Sequence, residues 1–328
     1  MASKVKFGLT LSNRGILLGL VQAEDILEMA ESADASGAFE HVWVGDSIMA
    51  KPRMESITTM AAIAGRTRNV QIGVACMASF PSRDPIVLAY QWASLDVISN
   101  GRMVLAACMG GSIDQQEHRT EYRNMRIKAS DRAHRMEENI VLLRKLWTED
   151  RVSYEGQFYK MENAFIEPKP VQEPPPIWVT SNPRLSVGKP HIIERSLRRV
   201  AKMGDGWMTT ANPAPEFKEL RKRVLEYAGD YDRSFEDLPC CLYYNININE
   251  DREAAFQESK KYLDQYYSIN YSREAVENWV ALGSPEQCIE QLQTYVDAGA
   301  TDILLRFPSW DQQGQFRRCV EEVLPAFS

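Results

Sequence analysis

The sequence predicts an α/β fold, a (β/α)8 barrel of the TIM type with insertions, and three observations carry that prediction. Short apolar runs alternate with amphipathic segments about eight times, the rhythm of parallel strands joined by crossover helices. No GxGxxG loop follows an early run, and the nearest stretch, residues 108–112 (CMGGS), lacks that spacing, which disfavours a doubly wound open sheet. The 328 residues suit one barrel with additions, because such barrels run to about 250 residues before insertions.

Each element follows from its pattern. Residues 5–11, 41–44, 70–76 and 103–108 are short and almost wholly apolar, as strands buried on both faces must be. Residues 23–36, 54–66, 85–98 and 130–147 carry apolar side chains at helical spacing, and Pro85 opens the third of them, where its missing N–H costs little. The rhythm then breaks. Residues 151–166 read as a β-hairpin turning at Glu155 and Gly156, followed by a proline-rich stretch. Strands return at 177–179, 206–209, 242–248 and 302–307, with helices at 192–202, 215–227, 251–267, 284–298 and 314–327. Residues 268–282 read as a lid or extra helix, and 112–128 give no clear pattern. The whole is expected to be a single barrel domain over 1–328.

Composition narrows the class. The chain is 44% apolar and 25% charged, ordinary for a globular protein, so disorder, collagen and coiled coil are excluded. No run of about 18 apolar residues could span a membrane. The start lacks a long apolar signal region, so the expected location is the cytoplasm. A net charge of −7 without a basic block makes nucleic acid an unsuitable partner. Six cysteines form no CxxC pair and no His/Cys cluster, so no metal site is expected and the thiols should be reduced.

A barrel places its chemistry at the C-terminal strand ends. The candidates there are Ser12 and Asn13, Asp46 and Ser47, Cys76 and Ser79, Cys108 to Gly111, Thr180 to Asn182, Thr209 to Asn212, and Arg306. These are mostly neutral hydrogen-bonding or small residues. No acid pair suggests glycoside chemistry, no Ser-His-Asp set is readable, and the four histidines fall elsewhere. A site poor in its own acids and bases points to a bound cofactor that carries the hard step.

The motifs FGLTL, HVWVGDS, NVQIGVACM, ISNGRMVLAACMGG, PPIWVTSN, GDGW and GSPEQCIEQLQTYVDAGATDILLRF follow one another in order. This ordered set resembles the bacterial-luciferase-like superfamily of flavin and deazaflavin oxidoreductases, nearly end to end. The resemblance implies a barrel that binds either reduced FMN with oxygen or the deazaflavin F420. The leading expectation is an FMNH2-dependent monooxygenase acting on a small organic substrate, supplied by a separate flavin reductase. The alternatives are an F420-dependent dehydrogenase or reductase and a flavin-binding barrel without turnover.

The resemblance also implies roles for residues. A cis peptide at Ala75–Cys76 would support the flavin ring. Cys108 and Met109 occupy the turn after strand four, where luciferase has an arginine in place of Met109. Arg132, at a helix start, would assist phosphate binding. Thr180, Ser181 and Asn182 would contact phosphate or ribityl groups. Asp46, Ser47 and Arg306 are the catalytic candidates. Arg306 could hold an anionic substrate or stabilise developing negative charge. Gly204 to Trp207 (GDGW) is expected to be a structural turn at the barrel bottom. Two departures stand out. Many members carry a histidine where this chain has Ser47, and F420 sugar-phosphate dehydrogenases carry a glutamate where it has Gly111. Family members are commonly dimers or tetramers, so a homodimer or homotetramer is expected, with helices two and three at its interface.

Overall fold

The structure is a computed structural model and describes residues 4–233 and 238–327. Eight parallel strands close a barrel: β1 (Lys6–Leu11), β2 (His41–Val44), β3 (Gln71–Met77), β4 (Met103–Ala107), β7 (Ile177–Thr180), β8 (Gly206–Thr210), β9 (Cys240–Ile248) and β11 (Asp302–Arg306). Closure runs through β9, which pairs with β8 on one edge and with β11 on the other, while β11 pairs with β1. The crossover helices are α1 (Ala23–Ser36), α2 (Ser56–Arg66), α3 (Pro85–Ser99), α5 (Arg132–Thr148), α6 (Pro190–Met203), α7 (Ala214–Gly229), α8 (Arg252–Tyr267) and α10 (Pro285–Asp297), and α11 (Gln312–Arg318) follows the last strand.

The helix starts are set by local chemistry. Asp84 caps α3 by accepting from the backbone N–H groups of Ile86 and Val87. Ser284 and Gln287 form a capping box at α10, which sets the start of that helix.

Apolar side chains fall into two layers. The larger packs the outer face of the strands against the helices. The smaller fills the barrel lumen with Trp43, Ala75, Val104, Ala106, Trp178, Met208, Cys241 and Leu304. The Trp43 and Trp178 rings lie 5.3 Å apart in that lumen. The barrel interior is therefore a packed core, and ligands are confined to its mouth.

Three additions decorate the frame. The hairpin is β5 (Val152–Glu155) with β6 (Lys160–Ala164), antiparallel as the sequence predicts. The unread stretch after β4 forms a helix, α4 (Gln116–Asn124). Residues 268–282 form a short helix, α9 (Arg273–Glu277), and most of a strand, β10 (Val280–Gly283). The strand was not anticipated. Because β11 occupies one edge of β9 as far as Asn245, β10 takes the opposite edge, pairing with residues 245–248 beyond the end of β8.

The GDGW segment sits between α6 and β8. Asp205 accepts from the Ile177 backbone N–H at 2.9 Å and from Arg144 at 2.8 Å, tying the starts of β7 and β8 together. Gly206 is needed there for space: a Cβ would lie 2.5 Å from the Trp178 ring. Among the described residues, no helix is long and apolar enough to cross a membrane.

Candidate active site

The mouth is built from loops that reach across one another. Asn13, after β1, donates to the carbonyls of Gly45 and Met54 and accepts from the Gly45 N–H, so it splices the first loop to the second. Ser12 Oγ lies 2.8 Å from the Tyr262 hydroxyl of α8.

Asp46 is buried and fully engaged. It accepts from Ser56 Oγ, Ser79 N, Ser79 Oγ and Arg83, at 2.7 to 3.1 Å. These bonds hold the loops after β2 and β3 together and leave the carboxylate no free lone pair for proton transfer. Its contacts thus describe an anchor, against the catalytic role read from the sequence. Ser47 is also buried; it donates to Glu121 and accepts from the Lys51 N–H.

Glu121 is the organising acid of this loop. One oxygen, Oε2, accepts from Met49 N at 2.6 Å, Ala50 N at 2.8 Å and Ser47 Oγ at 3.4 Å. It comes from α4, as does His118, whose ring packs over Gly111: a Cβ on Gly111 would lie 2.2 Å from the imidazole Cε1 and Nε2. Sequence reasoning missed both residues. The signal was present, because residues 118, 121 and 122 share one helical face by their i, i+3, i+4 spacing.

The Ala75–Cys76 peptide is cis. Strand β3 bulges between Val74 and Met77, which re-aims this segment at the mouth. The Cys76 and Cys108 thiols lie against each other. Their hydrogen bond, with burial, raises Cys76 well above the ordinary thiol range. The same hydrogen bond, helped by the Gly110 N–H, lowers Cys108. Met109 Sδ accepts from Arg199 at 3.7 Å.

Arg132 starts α5 as expected, but its guanidinium donates to the carbonyls of Gly111 at 2.6 Å, Met109 at 3.3 Å and Ala129 at 3.1 Å. It also donates to the Tyr122 hydroxyl and lies over that ring at 4.7 Å. These contacts fix the loop after β4 through Nε and Nη1 of the guanidinium.

The segment after β7 fits a polar cofactor. The Ser181 hydroxyl is buried without a hydrogen-bond partner, and the neighbouring Thr180 hydroxyl meets the Cys76 thiol. Orphaned buried hydroxyls want a partner, and a bound molecule can supply one. Asn182 Oδ1 accepts from Thr209 and Asn212. Trp207 of the GDGW segment donates its indole N–H to the Ser181 carbonyl at 2.9 Å and holds this corner.

Arg306 closes the opposite wall and is fully buried. It donates to Asn245 Oδ1 and to the Tyr267 hydroxyl. The rings of Tyr243, Tyr262, Tyr266, Tyr267 and Trp279 surround it at 4.5 to 5.9 Å. Among the described residues no carboxylate pairs with it.

The match of the family model described as luciferase-like monooxygenase covers residues 5–302. The chain belongs to the luciferase-like monooxygenase family. It is 25% identical over 328 residues to an F420-dependent glucose-6-phosphate dehydrogenase of Amycolatopsis mediterranei (strain U-32), spanning 92% of this chain and 93% of that protein. In fold it is similar to an F420-dependent secondary alcohol dehydrogenase solved with an F420-acetone adduct (TM-score 0.81, 17% identity, 99% of this chain and 100% of that one). A monooxygenase from Streptomyces bottropensis is also similar in fold (TM-score 0.79, 21% identity, 98% of this chain and 100% of that one).

These findings correct the leading expectation of an FMNH2-dependent monooxygenase fed by a reductase. Three relatives similar over 82–92% of the chain are named F420-dependent glucose-6-phosphate dehydrogenases, which favours F420 over FMN. The expectation failed because Ser47 and Gly111 read as losses. In the folded chain, Glu121 meets the first and His118 covers the second.

Proposed function

We propose that this luciferase-like barrel is an F420-dependent oxidoreductase that moves a hydride between the deazaflavin and a small molecule bearing a hydroxyl or carbonyl group. The observation that carries the reading is the likeness, over nine-tenths of the chain, to a protein named for F420 and for dehydrogenation. The donor set supports it. When bound, F420 supplies a carbon that accepts or gives hydride.

The chain's own residues do the rest. Thr180, Ser181 and Asn182 offer hydroxyl and amide groups suited to a ribityl chain and phosphate. Ala75, Cys76, Cys108 and Met109 form the wall against which a planar ring would lie, with Arg132 holding the loop after β4 through the Met109 and Gly111 carbonyls. Arg306 faces this wall as a buried cation with no carboxylate paired to it among the described residues. It suits a substrate oxygen that is anionic or becomes so as hydride leaves the adjacent carbon. The packed lumen beneath excludes water from the exchange.

We further propose that copies pair through α2 and α3, the helices the family resemblance implies, because Val87, Tyr90, Val97 and Ile98 of α3 are exposed.

Anaerobic titration with F420 and, separately, with FMN tests the cofactor. Tight F420 binding, with bleaching of its absorbance on adding glucose 6-phosphate or propan-2-ol, is the expected result. Preferential FMN binding overturns the reading.

A further inference from the structure

We propose that His118 is the proton-transfer residue of this site, delivered to the barrel mouth by α4 instead of by a barrel strand. The proposal rests on the F420-dependent reading above.

Hydride transfer from an alcohol needs a base. The carbon–hydrogen bond breaks and its electron pair leaves as hydride to the deazaflavin. The oxygen–hydrogen bond breaks, its electrons complete the carbonyl, and the proton must go to a nearby group. In the proposal that group is an imidazole nitrogen of His118, which returns the proton in the reducing direction.

The strand-end residues leave few other candidates. Ser12, Ser47, Ser181, Thr180 and Asn182 do not titrate near neutrality. Asp46 is saturated by four hydrogen bonds. Arg306 stays cationic. His41 begins β2 and sits at the other end of the barrel. His134 and His191 are exposed on helices. Among the described residues the competitors are Cys108 and Lys51, whose thiol and amine are lowered.

His118 is placed and prepared. It is 8% exposed, and its Nδ1 is buried with no hydrogen-bond partner. A buried ring nitrogen without a partner is a group whose partner has yet to arrive. Its other edge is fixed over Gly111, in the loop that carries Cys108 and Met109. The Tyr122 ring stacks on it at 6.3 Å. The charged groups that face it are Glu121 and Glu117 from its own helix, Lys51 from the loop after β2 and Arg132 from α5. Burial is the largest influence and lowers the imidazole, so it is neutral at pH 7 and ready to accept a proton.

The test begins with histidine imidazole NMR on the whole chain. Four histidines keep the spectrum simple, and His118→Asn assigns the signal. The expected result is a titration midpoint for His118 below its ordinary 6.5. Saturating F420 alone, monitored by its own fluorescence, should then shift the His118 signals and leave His134 and His191 in place. Gly111→Ala should displace the ring and alter the His118 signals before any cofactor is added.

With a substrate that turns over, His118→Asn should bind F420 as the parent does. It should lose about 100-fold in kcat together with one limb of the pH–rate profile. F420 that binds while the His118 signals stay still overturns the proposal, as does a His118 midpoint at or above the ordinary value. An unchanged pH profile in His118→Asn also overturns it, and the same loss in Cys108→Ser alone assigns the proton to the thiol. Failure of F420 to bind at all is a separate result, and it removes the cofactor reading itself.

Discussion

Asn245 Oδ1 accepts two hydrogen bonds from Arg306, from Nε at 3.1 Å and from Nη2 at 2.9 Å. A neutral amide is thus the main polar partner of a fully buried cation. An uncompensated charge destabilises the fold by several kcal/mol, and proteins retain such groups where a ligand completes them. Replacing Arg306 with Met separates the two duties. Removing the charge gains about what freeing Asn245 Oδ1 costs, each a few kcal/mol. The thermal midpoint should therefore hold, while turnover of an F420-coupled substrate falls about 100-fold. A variant that keeps its rate removes Arg306 from the mechanism.

Glu121 supports three donors of the loop after β2. Glu121→Ala strands the Met49 and Ala50 N–H groups and should cost about 3 kcal/mol in chemical denaturation. Glu121→Gln keeps an acceptor and should cost less. Equal and small losses in both would show that the loop finds other partners.

The stability of the barrel should depend on pH through His41. Burial lowers its imidazole to about 3, although Asp302 lies 3.4 Å away, so the contact is one with a neutral ring. In the unfolded chain the same group takes a proton near 6.5. The folded state therefore binds fewer protons between those values, and stability is lost as pH falls from 6.5 toward 3, by about 1.4 kcal/mol per pH unit. Asp302, raised by burial, acts with the opposite sign once the carboxylate range is reached. Urea melts at pH 7, 6 and 5 should show the decline, and His41→Gln should reduce it, leaving the part that the lowered imidazole of His118 contributes with the same sign.

How much of this was legible follows from where the signals lie. The barrel was readable because buried parallel strands are short apolar runs and the helices repeat at 3.6 residues. Trp43 and Trp178 could be placed on strands, yet nothing in sequence said that they would meet in the lumen. The mouth was harder, because its contacts span the chain. Ser47 reads as an isolated serine until Glu121, 74 residues later, hydrogen-bonds to it. Arg132 was placed at a helix start correctly, but two of its carbonyl partners, Met109 and Gly111, depend on the path of the loop after β4. Strand β10 was hidden because it is only four residues long and pairs with the far end of β9.

The outer face of α3 makes a prediction about assembly. Val97→Asp should shift the chain toward monomer in sedimentation velocity, since Val97 is 43% exposed beside the exposed Ile98. An unchanged distribution would place any interface elsewhere.

The pairing of Ser12 with Tyr262 links positions 250 residues apart. Gln312 reaches the same serine from beyond the last strand. During synthesis, then, the first loop of the mouth leaves the ribosome long before the groups that complete it. A half-made chain has β1 to β4 and yet no finished place for a ligand. Competence to bind arrives late, with the final quarter of translation, and a chain cut short before Tyr262 forgoes it.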